Sequence, residues 1–295
     1  MKINIATSSL ASLPLLTRLA KKEQLSKIFI PKGLSVFENH LKTFFSHIEI
    51  QTCNKNFAQD GDFLFGADLL LIFGFPFRIK PIPDKAFNIH FGELPENRGP
   101  EPLFWTLKQN KKIAYVTIHE VTEALDAGPI YSQKGYPIMP GETLGLLNSR
   151  LANLIVPQVE AFILEKGKPQ VQEEANAQYQ RRPNNMDLMI DWVHMRSKEI
   201  ENLVLACNPN FIGARTTFNK IPFQIVEAFV PPQFNLTEEQ KTKKPGDVII
   251  ANEHGLAVLT SDFKALFITV GHMNEGTFSA IKLINMGIDE SIRFI

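Results

Sequence analysis

Asn88 and His90 stand two residues apart in the stretch FNIHFGELPENRGPEPLFW, residues 87–105. Alternate residues of a strand point the same way, so the pair can face one pocket. A carboxamide at that place supplies N–H groups for a developing oxyanion. An imidazole supplies a proton shuttle, or a charged donor to the same oxygen. A carboxylate that orients the imidazole and raises its pKa would complete the set. The segment EALDAGPIY offers Asp126 for this, in a turn between two apolar strand-like stretches. Each residue also has a plainer reading: Asn and Asp as turn formers, His as a structural hydrogen bonder. Spacing alone leaves both readings open.

The elements that must position these residues are legible as patterns. KINIA reads as a short buried strand, and Ser8 or Ser9 can cap a helix through LASLPLLTRLAKK. SKIFIP, IEIQTC, AFNIHF and IAYVTIHEV read as strands; SVFENHLKTFFSHI, PEPLFWTLKQN and ETLGLLNSRLANLIVPQVEAFILEKG read as helices. ADLLLIFGF is a continuous apolar run, as expected of a central parallel strand covered on both faces. Strands alternating with helices predict a parallel α/β sheet, in which ligands gather at the carboxyl ends of the strands. Asn88 and His90 fall at such an end. The chain has neither a G-x-G-x-x-G turn after the first strand nor a Walker A loop, so the usual dinucleotide and triphosphate cradles are missing.

After about residue 170 the character changes. QVQEEANAQYQRRPNNMD is polar and reads as a linker, and DWVHMRSKEIENLVLAC reads as a helix. From Gly213 on, short β-like runs separated by turns (ARTTF, IPFQIVEAFV, GDVIIAN, GLAVLT, ALFITVG) predict a small barrel.

The 295 residues are 44% hydrophobic and 21% charged, with a formal net charge of +0. A neutral chain has no strong field to draw in polyanions, which weighs against nucleic acid as the main ligand. Cys53 and Cys207 form no CxxC pair, so a reducing, cytoplasmic setting is expected rather than a zinc site or a disulfide framework. The first residues read as strand, turn and helix rather than as a signal peptide. No stretch approaches the roughly 20 apolar residues of a membrane-spanning helix.

FNIHFGELPENRGPEP resembles the signature loop of the folate-dependent formyltransferases, whose pattern is Asn-x-His-x-Ser-Leu-Leu-Pro-x-x-Arg-Gly, followed later by Leu/Met-Asp-x-Gly-x-Ile. Asn88, His90, Leu94, Pro95, Arg98 and Gly99 match the first part; Asp126, Gly128 and Ile130 match the second. VTIHEVTEALDAGPI, with His119, is similar to the corresponding segment of the transformylase and deformylase branches. Ile190-Asp191-Trp192, Asn208-Pro209, Gly213-Ala214 and residues 245–258 are similar to the carboxyl-terminal domain of the methionyl-tRNA formyltransferase branch.

The resemblance implies a Rossmann-like open, mostly parallel α/β sheet followed by a small OB-like β-barrel. Its parts would be a catalytic domain over 1–175, a linker over 176–190 and a carboxyl-terminal domain over 191–295. It implies 10-formyltetrahydrofolate as formyl donor, an amine as acceptor, and no metal. Asn88 and a protonated His90 would stabilise the oxyanion, while Asp126 holds His90 and takes the amine proton. The first loop (Thr7 to Leu13) and Phe73, Gly74, Phe75, Leu94, Pro95, Leu125 and Gly128 would line the folate site; Glu93 and Arg98 would face the acceptor. The sequence departs from the family at Gly92-Glu93, which replace Ser-Leu, and in a shorter stretch between FGFP and Asn88. The acceptor stays open: methionyl-tRNA, a small amine such as a nucleotide-linked amino sugar or an amino acid, or water. A non-catalytic folate-binding scaffold is the alternative from another class. Lys241, Lys243, Lys244, Arg181 and Arg182 form the best basic cluster, more readily read as solvated surface than as a tRNA contact. Nothing in the sequence sets the oligomeric state.

Overall fold

The computed structural model describes residues 1–295, the side chain of Asp60 apart. The chain divides into two compact units. One comprises Met1–Pro102, Ile113–Tyr136 and Asn148–Gln180; the other comprises Leu103–Lys112, Pro137–Leu147 and Arg181–Ile295.

The elements of the first half run β1 (Ile3–Thr7), α1 (Leu13–Lys21), β2 (Leu25–Pro31), α2 (Ser35–Phe44), β3 (Glu49–Cys53), α3 (Phe57–Asp60), β4 (Leu69–Phe73), β5 (Ala86–His90), α4 (Pro102–Lys108), β6 (Ile113–Glu120), β7 (Ile130–Pro137) and α5 (Leu144–Leu164). The strands form one seven-stranded sheet in the order β3-β2-β1-β4-β5-β6-β7. Pairings from β3 across to β5 are parallel, and β5–β6 is antiparallel. The apolar run Leu69–Phe73 lies between β1 and β5, the central place its composition predicts. All five residues of β1 are buried. On α1, Leu15, Leu16 and Leu19 are buried on one face, and Ser9 caps the short 3-10 turn that leads into it by accepting from the Ala11 N–H at 3.2 Å. The ring of Phe162 on α5 packs against Phe87 and Tyr131 with centroids 4.9 and 5.9 Å away, covering the face of β5 opposite Asn88 and His90.

The strand order decides where a ligand can enter. From β1 the chain builds outward through β2 and β3, then returns to the other side of β1 with β4. This reversal is a topological switch point, and the crevice outside the carboxyl ends of β1 and β4 is where open sheets bind ligands. Ser8, just past β1, reaches Gly74, just past β4, through its backbone N–H at 3.2 Å and through its hydroxyl. Asn88 and His90 end the next strand over, so the site lies wholly within the first unit.

The second unit continues with α6 (Ser197–Cys207), β8 (Ala214–Phe218), β9 (Ile221–Phe229), α7 (Glu238–Lys241), β10 (Val248–Asn252), β11 (Gly255–Leu259), β12 (Ala265–Met273), β13 (Gly276–Ser279) and α8 (Ala280–Asn285). Its strands pair antiparallel in the order β10-β11-β12-β9-β8, with β13 on β12. Among the described residues no ladder joins β8 to β10, so the strands leave the expected barrel open. The final residues lie across that gap. Ile295 exchanges backbone bonds with Thr217, Phe294 donates to Gly246, and Val248 donates to Ile292. Trp192 packs on Phe294 and donates its indole N–H to Thr216 at 2.9 Å.

The helix predicted from Asp191 begins only at Ser197. The Asp191 carboxylate accepts from the N–H groups of Val193 and His194, both at 3.1 Å, which holds the chain in a turn instead. Among the described residues no helix is long and apolar enough to cross a membrane.

Candidate active site

The antiparallel register of β5 and β6 places Asn88 opposite His119 and His90 opposite Thr117. Side chains directly opposite share a face. One face therefore carries Asn88, His90 and His119, with Asp126 brought in by the turn after β6. His90, His119 and Asp126 are 6%, 2% and 7% exposed.

Asp126 is the hub. Its Oδ2 accepts from the Gly99 N–H at 2.8 Å and lies 3.8 Å from His90 Nδ1. Its Oδ1 lies 3.4 Å from Asn88 Nδ2 and 3.5 Å from His119 Nε2. Burial by itself would raise the carboxyl pKa. The His119 contact, the two imidazoles and the Gly99 N–H outweigh it and bring the group down to about 2. Asp126 is ionised at neutral pH.

His90 behaves differently from the expectation. Burial pulls its pKa below the usual imidazole value; Asp126 pushes upward, His119 downward and the Asn97 carbonyl upward, and burial prevails. The resting imidazole is neutral, not the charged donor expected beside a carboxylate. Its Nε2 lies 2.7 Å from the Asn97 carbonyl, an acceptor only, so Nε2 carries the proton. Nδ1 keeps its lone pair and faces Asp126. Gly92 allows this placement: a Cβ there would stand 2.5 Å from His90 Nε2 and 3.0 Å from the Asn97 carbonyl. A side chain at position 92 would therefore press on the His90 ring and on the Asn97 carbonyl that the ring contacts.

His119 was not among the predicted site residues, although it is bonded into the centre. Its Nδ1 donates to the Glu120 carbonyl at 2.9 Å. Its Nε2 lies 3.1 Å from the Asn88 amide nitrogen and 3.5 Å from Asp126 Oδ1. Asn88 therefore points its Nδ2 at both His119 and Asp126. The signal for His119 was available in the alternation of IAYVTIHEV, but only the strand register sets it opposite Asn88.

The loop after β5 is pinned from the sheet. Thr117 donates to the Gly92 carbonyl at 2.7 Å, and Gln133 on β7 donates to the Leu94 carbonyl and to Thr117, both at 3.0 Å. Leu94 is buried, and the Pro95 carbonyl accepts from the Gln178 N–H at 3.1 Å. Glu93, expected at the acceptor, is half-buried, and its charge is one of the causes that raise the pKa of the Tyr115 hydroxyl, after burial. Arg98 is likewise committed within the protein: Nε donates to Gln172 at 3.1 Å, and the terminal nitrogens pair with Glu174 at 3.0 and 2.9 Å. Phe73 is buried at the end of β4, edge-on to Phe91 with centroids 5.1 Å apart. Gly74 has φ +64, and Phe75 packs edge-on to Phe63 and Phe77. Leu125 is exposed beside Asp126. Gly128 has no room for a side chain, because a Cβ would strike the Glu120 carbonyl.

The sheet order and the Asn–His–Asp set at its carboxyl edge define a Rossmann-like α/β protein with a buried, titratable site beside its switch point. Residues 55–161 match the family described as formyl transferase, and residues 184–285 match the formyl transferase carboxyl-terminal domain. The chain belongs to the formyl transferase family. It is 29% identical over 189 residues to methionyl-tRNA formyltransferase of Roseiflexus castenholzii, a match covering 62% of this chain and 58% of that protein. The chain thus spans under two thirds of the length of that relative. Among solved structures it is similar to HypX from Aquifex aeolicus in complex with tetrahydrofolic acid, with TM-score 0.66 and 18% identity, covering 98% of this chain and 48% of that one. It is also similar to an N-formyltransferase from Helicobacter canadensis bound to folinic acid and dTDP-3-aminofucose, with TM-score 0.63 and 18% identity, covering 94% and 100%.

Proposed function

We propose that this chain transfers a formyl group from 10-formyltetrahydrofolate to an amine, with Asn88, His90 and Asp126 as the catalytic residues. The observation that carries the reading is their convergence at the carboxyl end of β5, next to the switch-point loops joined by Ser8 and Gly74. The pterin end of the donor would lie along those loops, against Phe73, Gly74, Phe75, Leu94, Pro95, Leu125 and Gly128.

The acceptor nitrogen attacks the formyl carbon, a C–N bond forms and the carbonyl oxygen becomes an oxyanion. The Asn88 amide is the donor nearest the centre that can turn to it, releasing His119 or Asp126 as it does. The attacking nitrogen gives up a proton to the Asp126–His90 pair, where an ionised carboxylate faces an imidazole lone pair. The same pair returns that proton to N10 of the folate as the C–N10 bond breaks, leaving tetrahydrofolate and the formylated amine. A buried base needs no water to mediate these transfers.

Methionyl-tRNA remains one acceptor, on the likeness to the curated relatives. A small amine is the reading favoured by charge: the net charge is +0, and Arg98, the buried cation of the signature loop, is already paired. Release of tetrahydrofolate should be followed with 10-formyltetrahydrofolate alone, with charged initiator tRNA and with dTDP-3-aminofucose. Release that depends on an amine supports transfer. Equal release without any amine identifies a hydrolase, binding of the donor without release under any of these conditions identifies a folate-binding scaffold, and failure to bind the donor overturns the reading.

A further inference from the structure

We infer that Gln172 is a positioning residue for Asp126, fastening the turn that carries the carboxylate to Arg98. The inference rests on the formyl-transfer reading for its kinetic consequence, but not for its structural one.

Gln172 lies in a polar stretch whose composition suggests a linker. Its carboxamide is nearly saturated. Nε2 donates to the Asp126 carbonyl at 2.8 Å and to the Gly128 carbonyl at 2.7 Å, and Oε1 accepts from Arg98 Nε at 3.1 Å. The turn it grips is one that needs holding, since Asp126 has φ +53, a conformation costly for a residue with a Cβ. The backbone around Gln172 is also anchored to the site. Gln170 and Ile130 exchange bonds at 2.8 Å in both directions, Arg98 donates to Gln178 at 3.0 Å, and Gln180 donates to Arg98 at 2.7 Å.

The Arg98–Gly99 pair therefore reaches Asp126 by two routes. The Gly99 N–H holds the carboxylate directly. The Arg98 side chain holds the backbone of the same residue through Gln172. Glu174 fixes Arg98 from its far side through both terminal nitrogens. This arrangement gives the arginine of the signature loop a role that needs no contact with substrate.

Two variants separate the possible roles of Gln172. Gln172→Ala removes every bond. Gln172→Glu keeps an acceptor for Arg98 but loses the donors to Asp126 and Gly128. Steady-state turnover should be measured with 10-formyltetrahydrofolate, together with hydrogen exchange across residues 122–130 and thermal unfolding. Displacing a catalytic group by about 1 Å can cost about 10²-fold in rate. Both variants should stay folded, lose about ten- to a hundredfold in kcat and keep KM for the donor within about twofold. Both should also exchange faster over 122–130. A Glu variant with wild-type kcat and exchange overturns the inference, because Gln172 would then serve Arg98 alone; so does an unchanged Ala variant. Exchange is read without turnover. A wild type that is inactive with every acceptor therefore sinks the proposed function, while the exchange result still decides on Gln172.

Discussion

At Asp126 two opposing influences meet. Burial favours the protonated carboxyl, while Gly99, His119 and His90 favour the charge, and the charge wins, with a pKa lowered to about 2. At His90 burial wins instead, and the ring stays neutral. The motif spacing was enough to bring Asn88, His90 and Asp126 together. It could not show the protonation state, because that depends on how much of the sheet and the pinned loop covers the ring. Nor could it show His119 and Gln172, which join the site through strand register and a distant strand-like segment. Two predictions belong here. Losing an oxyanion donor typically costs about 10²–10³ in rate. Asn88→Ala should lower kcat by at least that much while unfolding at a temperature close to wild type, and Asp126→Asn should lower kcat comparably while giving up the part of the stability that the ionised carboxylate supplies at neutral pH. Turnover near wild type in either removes that residue from the mechanism. The second prediction concerns acid. Between the lowered pKa of His90 and the ordinary value of about 6.5, the unfolded chain binds more protons than the native one. Stability is therefore complete above about 6.5 and is lost as the pH falls through the native value, and Asp126 adds a further loss in the same direction at lower pH. Melting curves of His90→Gln against pH should show a shallower decline below about 6.5 than wild type; parallel curves would mean that His90 has the same pKa folded and unfolded.

At the scale of elements, the sheet was well marked. The run Leu69–Phe73 has the composition of a strand flanked on both sides, and it is flanked by β1 and β5. The strands of the second unit were equally visible, but their closure was not, because closure depends on which edges find partners rather than on alternation. The region around Gln172 was obscured for another reason: a segment held by side-chain amides and a few backbone bonds looks as polar as a linker. The turn it binds leads to Gly128, where packing leaves no space beside the Glu120 carbonyl. Forcing an extra methyl into a filled site commonly costs about 1–3 kcal/mol. Gly128→Ala should lower stability by about that amount in denaturant titration and reduce kcat, since the turn carries Asp126. A variant as stable as wild type would show that the turn can move aside.

For the molecule as a whole, the division into units does not follow the chain. Residues 103–112 and 137–147 come from the first half of the sequence yet belong to the second unit. Phe104 meets Phe211 with centroids 5.5 Å apart, the Trp105 indole donates to the Arg181 carbonyl at 2.8 Å, and Lys108 donates to the Asp187 carbonyl at 2.7 Å. A chain ending after Gln180 deprives α4 of all these partners. It should bind a hydrophobic dye and sediment as aggregate; a soluble monomer with a cooperative melt would refute this.

The bonding of residues 170–180 to the site loops also sets a rule for exchanging parts between relatives. A recombinant hybrid that keeps this catalytic unit but takes a foreign sequence from residue 169 onward replaces Gln172, Glu174 and the partners of Arg98 together with the distal part. Any change in its rate would then be credited to the new distal part when it arises around Asp126. A junction placed after Gln180 keeps those contacts native, so that hybrids can be compared with the surroundings of Asp126 unaltered.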